Sequence, residues 1–369
     1  MEEFDIPISK PNLIKEDFLE IKKCFDSSWI SSKSPWVDKF EIGFAKKVSG
    51  TKYAVSVNSG TSALFLALKA LGIGPGDEVI LPTLTMIATV NAITWVGATP
   101  VLVDSTSSKD WNIDPAKIEE KINKKTKAIM PVHIYGYPCN MEKINNIAKK
   151  YKLYVIEDAA EAMGALYKGK LVGSLSKISC FSLYANKIIT TGNGGMVCTD
   201  DKYIYKLVKK LSFFDFNETT HFEHNLIGYN LVLSGLQAAL GSSQVKRFDK
   251  QLNKRRQIFS WYRDNLKNKH IRLIISPKEN NPNYWFPAII TDDKDIKKKI
   301  IDFLLKSGIE TRDFFLPIHL QPVYKRYFEK QKYPISEYFF ENGLLLPSFF
   351  DLTLSEIFYI CKIINKISN

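Results

Sequence analysis

The sequence predicts an α/β protein: a large, mostly parallel sheet with helices on both faces, followed by a smaller α+β domain. Short apolar segments alternate with segments of helical spacing over the first two-thirds of the chain, as in sheets built from strand–helix–strand units. After about residue 250 this alternation stops, and a charged helix leads into an apolar run. We therefore expect two domains, residues 1–250 and residues 251–369, in this chain of 369 residues.

The first domain is predicted from two helices and five short strands. The run Val79–Val103, which includes parts of two predicted strands, carries no charge and could suggest a membrane span. Prolines, an asparagine and a glycine interrupt it, however. We interpret that run as strand, loop, short helix and strand. In chain order the elements are the helix Ser62–Leu71, the strands Glu78–Leu81, Thr99–Val103 and Ala128–Val132, the helix Met141–Tyr151, and the strands Leu153–Ile156 and Lys177–Phe181.

The second domain is predicted from helices that flank short apolar segments. No low-complexity linker separates it from the first domain, so we expect the two to pack closely. Its elements are the helix Lys250–Asn268, the run Tyr284–Thr291, the helix Asp295–Ser307, the segment Ile309–Thr311 and the helix Ser355–Ile367.

Charge and cysteine content limit the class of protein. There are 51 Lys and Arg against 39 Asp and Glu, but the excess is spread along the chain and no nucleic-acid-binding motif is present. The five cysteines form no CxxC pair or Cys/His cluster, which argues against zinc and against a disulfide framework. The first ten residues, MEEFDIPISK, lack the apolar core of a signal peptide. We expect a cytoplasmic protein that binds no metal, nucleic acid or membrane.

Three segments could carry chemistry, and the first is Asn58–Ser62. It leads directly into an apolar helix, where backbone N–H groups and hydroxyls form a site for an anion such as phosphate. Ordinary helix capping would also explain Ser59 or Thr61.

The second segment, Val155–Ala165, has an apolar strand that ends at Glu157 and Asp158. Parallel sheets bind ligands beyond the carboxyl ends of their strands, so an acid there is a candidate functional group. Capping of a following helix by Asp158 explains the pattern equally well.

The third segment, Phe181–Val197, has a strand that runs into a polar turn with Lys187 and three glycines. A surface lysine beside a hairpin is the ordinary explanation, and the order of residues does not fit a P-loop. Pyridoxal 5′-phosphate, however, needs a phosphate cradle, a carboxylate for its pyridine nitrogen and a lysine for a Schiff base. The three segments together predict that cofactor.

Longer motifs resemble the DegT/DnrJ/EryC1/StrS family of sugar aminotransferases, and within it the GDP-perosamine synthase-like enzymes. The resemblance extends from Ile6 to Phe349 and implies the aspartate-aminotransferase-like fold of fold-type I enzymes. The motifs are EDAAEAMGA, FSLYANKIITTGNGGMVCTD, HIYGYPCNM and ETRDFFLPIHLQPVY.

The resemblance also implies roles for individual residues. Lys187 would carry the cofactor as a Schiff base, Asp158 would pair with the pyridine nitrogen, and Glu161 would lie near the ring. On the substrate side would be Tyr135, Arg312 and His319. The phosphate would be held by Gly60, Thr61, Ser62 and Ser182, and by Asn230 reaching across from a second subunit of a homodimer with shared sites.

Three positions depart from the family pattern. Met86 stands where an aromatic residue usually stacks on the cofactor ring, Val232 replaces an arginine, and Asn193 replaces an acid. A thioether packs on a ring with a different shape. The resemblance places Met86 and Val232 near the cofactor or the subunit interface, so the departures bear on the choice of acceptor.

The resemblance implies a transaminase that moves an amino group from an amino acid, by analogy L-glutamate, to a phosphorylated or nucleotide-linked keto-sugar. C4 of a nucleotide-linked 4-keto-6-deoxyhexose, for polysaccharide biosynthesis, is the expected acceptor. A keto-inositol or short phosphorylated ketone is an alternative. Two other readings stay open: a sugar dehydratase of the same fold, although such enzymes carry histidine in place of Lys187, and a non-catalytic regulator or scaffold.

Overall fold

A computed structural model describes residues 4–216 and 222–367. Seven strands of the described chain form one twisted sheet whose inner strands are almost entirely buried. Their residues are mostly β-branched or otherwise apolar, as expected for a sheet covered on both faces. The strands are β1 (Tyr53–Val57), β2 (Glu78–Pro82), β3 (Thr99–Val103), β4 (Thr126–Ile129), β5 (Tyr154–Asp158), β6 (Ile178–Ser182) and β7 (Gly195–Thr199).

The sheet order is β1-β7-β6-β5-β4-β2-β3. The strands from β6 to β3 pair in parallel, whereas β7 runs antiparallel to both of its neighbours. Strands β5 and β6 are adjacent, so their carboxyl ends lie side by side at one edge of the sheet. Two small hairpins, Ser105–Ser107 with Asp110–Ile113 and Leu166–Tyr167 with Lys170–Leu171, lie outside it.

Helices connect and cover the strands. Several begin at a side chain that accepts a hydrogen bond from the first turn, among them Ser59, Asp201 and Asp293. The helices are α1 (Lys15–Asp26), α2 (Pro35–Phe44), α3 (Gly60–Ala70), α4 (Ile87–Trp95), α5 (Pro115–Lys121), α6 (Met141–Tyr151), α7 (Lys202–Ser212), α8 (Gly235–Lys246), α9 (Phe248–Asn265), α10 (Lys294–Lys306), α11 (Pro322–Phe328), α12 (Pro334–Asn342) and α13 (Leu354–Asn365).

A second, antiparallel sheet forms in the last third of the chain. Its order is β8-β9-β11-β10, from β8 (Ile271–Leu273), β9 (Ala288–Thr291), β10 (Arg312–Asp313) and β11 (Gly343–Leu345). Helices α9, α10 and α13 pack with it around an isoleucine-rich core. A further apolar cluster, which includes Trp111, Tyr135 and Trp285, connects this sheet to the Asp110–Ile113 strand and to the segments that follow β2 and β4, so the two parts pack closely.

The fold class and the strand–loop–helix–strand interpretation of Val79–Val103 are confirmed. The strand expected at Ala128–Val132 ends instead at Ile129, because Pro131 has no N–H to donate. The segment Ile309–Thr311 forms one bridge, between Ile309 and Ile6, and the strand begins at Arg312. The domain boundary at residue 250 falls inside α9 and stays a prediction. Among the described residues, no helix is both long and apolar enough to cross a bilayer.

Candidate active site

A cavity of about 390 Å³ opens beyond the carboxyl ends of β5 and β6. Its wall combines the first turn of α3, the start of α4, the turn after β6 and two segments from the last third of the chain. The sequence-predicted residues that line it are Gly60, Thr61, Met86, Asp158, Glu161, Ser182, Lys187, Asn193 and Arg312. The adjacency of β5 and β6 therefore brings the predicted acid, lysine and anion site together.

The N-terminus of α3 forms one end of this cavity. Ser59 caps the helix by accepting a hydrogen bond from the Ser62 N–H at 3.0 Å. The Ser62 hydroxyl donates to Asn58 Oδ1 at 2.7 Å, so it serves the helix start and does not line the cavity. A Cβ added at Gly60 would lie 3.0 Å from Ser182 Cβ, so the glycine lets the helix approach β6 closely. Gly60 and Thr61 leave N–H groups at the positive end of the helix.

Asp158 ends β5 and is buried. No helix follows it, so the capping alternative does not apply; its Oδ1 accepts from the Ala160 N–H at 3.2 Å. Thr89, on α4, donates its hydroxyl to Oδ2 at 2.8 Å. Burial raises the pKa of Asp158, while the Thr89 hydrogen bond and the charge of Lys187 oppose that rise.

Lys187 lies in the turn between β6 and β7, with its side chain only 10% exposed. Its Nζ is 3.8 Å from Glu161 Oε1 and 3.5 Å from the centre of the Trp285 ring. Burial lowers the pKa of this amine to about 8, against the opposing charges of Glu161 and Asp158. A buried amine that loses its proton near neutral pH can act as a nucleophile and as a base.

Glu161 follows Asp158 in the same loop and faces Lys187. Its Oε2 accepts a hydrogen bond from the Tyr135 N–H at 2.7 Å. Burial raises the pKa of this carboxyl group, and the Lys187 charge opposes that rise. The loop thus places an acid and an amine, both removed from water, within 4 Å of each other.

Three other predicted residues lie outside the cavity wall. Tyr135 is fully buried, and its hydroxyl accepts from the Phe315 N–H at 2.9 Å, so it contacts the cavity wall through Phe315 and Glu161. His319 is held by Thr83 at 2.8 Å and by Glu337 at 3.2 Å. Asn230 is exposed, next to the bridge from Val57 to Val232.

Two residues of the site have no counterpart in the sequence prediction. Trp285 lies in an apolar run that is typical of a buried core segment, yet its ring faces Lys187. Thr89 lies in the charge-free run, and only its place one helical turn after Thr85 and Met86 could have suggested a polar face on α4. Neither carries a sequence spacing that links it to Asp158 or Lys187.

Comparison with known proteins agrees with this geometry. The model of the DegT/DnrJ/EryC1/StrS aminotransferase family matches residues 11–365. GDP-perosamine synthase from Escherichia coli O157:H7 is 43% identical, with 98% of each chain covered. The same enzyme from Vibrio cholerae is 36% identical, with 99% of each covered.

Solved structures also match along the whole chain. Helicobacter pylori PseC, an aminotransferase involved in the biosynthesis of pseudoaminic acid, has a TM-score of 0.92 at 29% identity, with 99% of each chain covered. The PLP form of Spr1654 from Streptococcus pneumoniae has a TM-score of 0.93 at 28% identity, with 98% of each covered. The chain therefore belongs to the DegT/DnrJ/EryC1/StrS aminotransferase family and has the fold of fold-type I enzymes.

It is a pyridoxal 5′-phosphate-dependent aminotransferase, and its residues fit that cofactor. The positive end of α3 suits a phosphate, Asp158 suits a pyridine nitrogen, and the amine of Lys187 suits an aldehyde. Asn186, beside Lys187 in the cavity wall, has a buried Oδ1 without a hydrogen-bond partner among the described residues. An unsatisfied polar atom in the wall is consistent with a polar ligand in the cavity.

Proposed function

We propose that this aminotransferase takes an amino group from L-glutamate and places it on C4 of a nucleotide-linked 4-keto-6-deoxyhexose, for surface polysaccharide biosynthesis. The observation that carries this proposal is the 43% identity to a GDP-perosamine synthase over 98% of each chain. An acceptor of that size is also compatible with the cavity, which is open at Met86 and Tyr184, both about half exposed.

Lys187 is proposed to hold the cofactor aldehyde and, once released, to move the proton. When bound, the cofactor supplies an electron-accepting ring that stabilises negative charge on the carbon from which the proton is taken. The neutral amine of Lys187 accepts a proton from the donor α-carbon and, with the cofactor bound, would deliver it to the cofactor carbon that carries the transferred nitrogen. Glu161, 3.8 Å away, supports the ammonium while it carries that proton.

Asp158 and the start of α3 are proposed to orient the cofactor. The carboxylate of Asp158, held by Thr89 and the Ala160 N–H, keeps a negative charge beside the pyridine nitrogen. Gly60, Thr61 and Ser182 line the phosphate end of the cavity. Fixing both ends of a ligand sets the angle at which its reacting atoms meet Lys187.

Arg312 is proposed to contact a substrate carboxylate or phosphate. Its side chain lines the cavity, is 44% exposed and lies 3.6 Å from Glu310 Oε1, so this ion pair is loose and open to a stronger anion. Met86, at the start of α4, covers part of the cavity wall where an aromatic ring would be larger.

The sharpest test of the acceptor is a substrate panel. The protein is loaded with pyridoxamine phosphate and mixed with nucleotide-linked 4-keto-6-deoxyhexoses, a keto-inositol and small phosphorylated ketones. We expect the pyridoxamine absorbance to fall only with the nucleotide-linked sugars, mass spectrometry to find one added amine, and NMR to place it at C4. Reaction with the small ketones alone would refute the proposed acceptor; the Lys187→Ala variant serves as the control for uncatalysed exchange.

We further propose that the enzyme is a cytoplasmic homodimer with shared sites. The start of the chain exposes large apolar side chains, a common mark of an interface: Leu13, Phe18, Phe25 and Trp29 are each more than half exposed. Five free cysteines support a reducing compartment.

Complementation tests the shared site. An inactive Lys187→Ala chain is mixed with a chain inactivated at Asn230, and subunits are allowed to exchange. If Asn230 reaches the partner's cofactor phosphate, one site in each heterodimer has both residues and activity partly returns. No recovery, with exchange confirmed by mass, would assign Asn230 to its own chain, and a fully active monomer in sedimentation would refute the dimer.

A further inference from the structure

Lys187 is enclosed by two groups of different kinds. The carboxylate of Glu161 lies on one side, and the face of the Trp285 indole lies 3.5 Å from Nζ on another. Trp285 lines the cavity but is only 4% exposed, so little of its ring is open to water. A cation over an indole face is stabilised by the ring quadrupole, most strongly where water is excluded.

The Trp285 ring is fixed in this position from several directions. Its Nε1–H donates to the Asn186 carbonyl, immediately before Lys187, at 2.8 Å. Its backbone N–H donates to Asn283 Oδ1 at 2.9 Å, and Arg255 donates to its carbonyl at 3.4 Å. An indole held by its ring and by its backbone cannot turn away from the amine without breaking these bonds.

The same network connects Trp285 to Glu161. Asn283 Nδ2 donates to the Glu161 carbonyl at 2.8 Å and to the Met163 carbonyl at 3.0 Å. The loop that carries Glu161 and the loop that carries Trp285 are thus joined by one side chain. Because both loops face Lys187, the spacing between carboxylate, amine and ring is set together.

We propose that Trp285 is a positioning residue which holds the free ammonium of Lys187 against its ring face and so stabilises the protonated form between the two halves of the reaction. This inference rests on the proposed role of Lys187. The charged groups that face the amine are Glu161, Asp158 and Arg312, and Trp285 adds an uncharged attraction to them. Without the ring, burial would favour the neutral amine still more strongly.

A measurement of cofactor attachment against pH tests the proposal. Pyridoxal phosphate is added to the full chain prepared without cofactor, and the attachment rate reports the fraction of neutral Lys187. We expect Trp285→Leu to move the midpoint of this profile to lower pH by about one unit, since a cation–π contact of ordinary strength corresponds to about that shift. Trp285→Phe, which keeps a ring, should move it less.

The direction in which the midpoint shifts in Trp285→Leu distinguishes this proposal from a purely structural role of Trp285. If Trp285 only kept water out, its removal would hydrate the amine and move the midpoint to higher pH. An upward shift, or none, would therefore overturn the proposal. Trp261→Leu is the matched control, because that ring also faces a lysine, Lys254 at 4.5 Å, but lies outside the cavity wall; its midpoint should equal that of the wild type.

A second measurement uses the unchanged Trp285, so it tests the proposal even if the Trp285→Leu chain does not fold. In the wild-type chain without cofactor, the near-ultraviolet indole band should titrate with the midpoint found for attachment, and Lys187→Met should abolish that titration. The same titration in both proteins would overturn the proposal. If the wild type attaches cofactor at no pH, the proposed role of Lys187 is wrong. If the wild type attaches cofactor and the Trp285 variants have the same attachment midpoint, only the inference about Trp285 is wrong.

Discussion

Two lysine–glutamate pairs in this protein differ in the direction in which the pKa of the amine is shifted. Lys187 faces Glu161 at 3.8 Å inside the active-site cavity, and Lys209, on α7, faces Glu41, on α2, at 3.2 Å. Burial opposes the charge on both amines. It dominates at Lys187 and lowers the pKa, but at Lys209 the Glu41 charge and a Tyr205 hydrogen bond outweigh it and raise the pKa.

The difference follows from distance and solvent. The Lys209 side chain is 38% exposed and has a second carboxylate, Asp38, at 3.6 Å. Lys187 is 10% exposed, and among the described residues no carboxylate oxygen is nearer than Glu161 Oε1. A lysine with water and two close acids stays charged, whereas a dry lysine with one looser acid can give up its proton. Only the second arrangement provides a usable nucleophile.

The largest expected difference is between the two lysines themselves. Lys187→Met should lose all measurable turnover and all covalent attachment of cofactor, because the nucleophile is gone. Lys209→Met should keep turnover within about threefold, while its melting temperature falls by a few degrees, because Glu41 stays buried without its partner. Steady-state kinetics and thermal unfolding measure both. Borohydride reduction of the cofactor-loaded wild type, followed by peptide mapping, should label Lys187; a label on another lysine would contradict the assignment.

Asp158 is expected to show the next largest effect. Asp158→Asn keeps the shape but loses the charge beside the pyridine nitrogen, so the half-reaction with glutamate should slow by about 10²–10⁴-fold. Stopped-flow absorbance of the loaded protein gives this rate. Glu157→Gln is the matched control: that carboxylate is equally buried but accepts from Gly173 and Leu175 N–H groups, away from the cavity wall. A near-normal rate in Asp158→Asn would move the role to Glu161, the other carboxylate in the cavity wall.

The rate of cofactor attachment to Lys187 should change about tenfold with pH, which gives a second comparison of the two lysines. Only the neutral amine attacks an aldehyde, and burial lowers the pKa of Lys187 to about 8. Cofactor attachment should therefore rise with pH through about 8 and, one unit below that midpoint, be about tenfold slower than on the high-pH plateau. Competitive acylation read by mass spectrometry should find Lys209 unreactive over the same range. A flat attachment profile, or equal labelling of both lysines, would contradict the opposite pKa shifts.

The smallest expected effect concerns Thr89. Thr89→Val removes the hydroxyl that donates to Asp158 Oδ2 at 2.8 Å, so the charged form of Asp158 is less stable and its pKa rises further. We expect the half-reaction rate to fall by about threefold to tenfold, most at acidic pH. Thr94→Val is the control, since Thr94 bonds within α4 to Val90 and reaches Tyr324 instead. Equal effects of the two variants would show that Thr89 acts only through helix stability.

The sequence by itself determined the fold class and the chemical centre of the site. Asp158 ends a short apolar strand and Lys187 follows the next one, and adjacent parallel strands bring their carboxyl ends to one edge. Ser59 and Gly60 mark a helix start through local capping chemistry. These features depend on near neighbours in the chain, so the order of residue types is enough to predict them.

Only the tertiary structure decided which other residues surround Lys187. The Trp285 indole bonds to a carbonyl 99 positions away, and Thr89 reaches an acid 69 positions away. The Ser62 hydroxyl bonds to Asn58, and the His319 ring bonds to Thr83 and Glu337. These partners lie outside the cavity wall, although the motifs of Ser62 and His319 predicted a site role. The direction of each pKa shift likewise depends on burial and on distances between distant segments. Such contacts form when the chain packs, and no local pattern of residues encodes them.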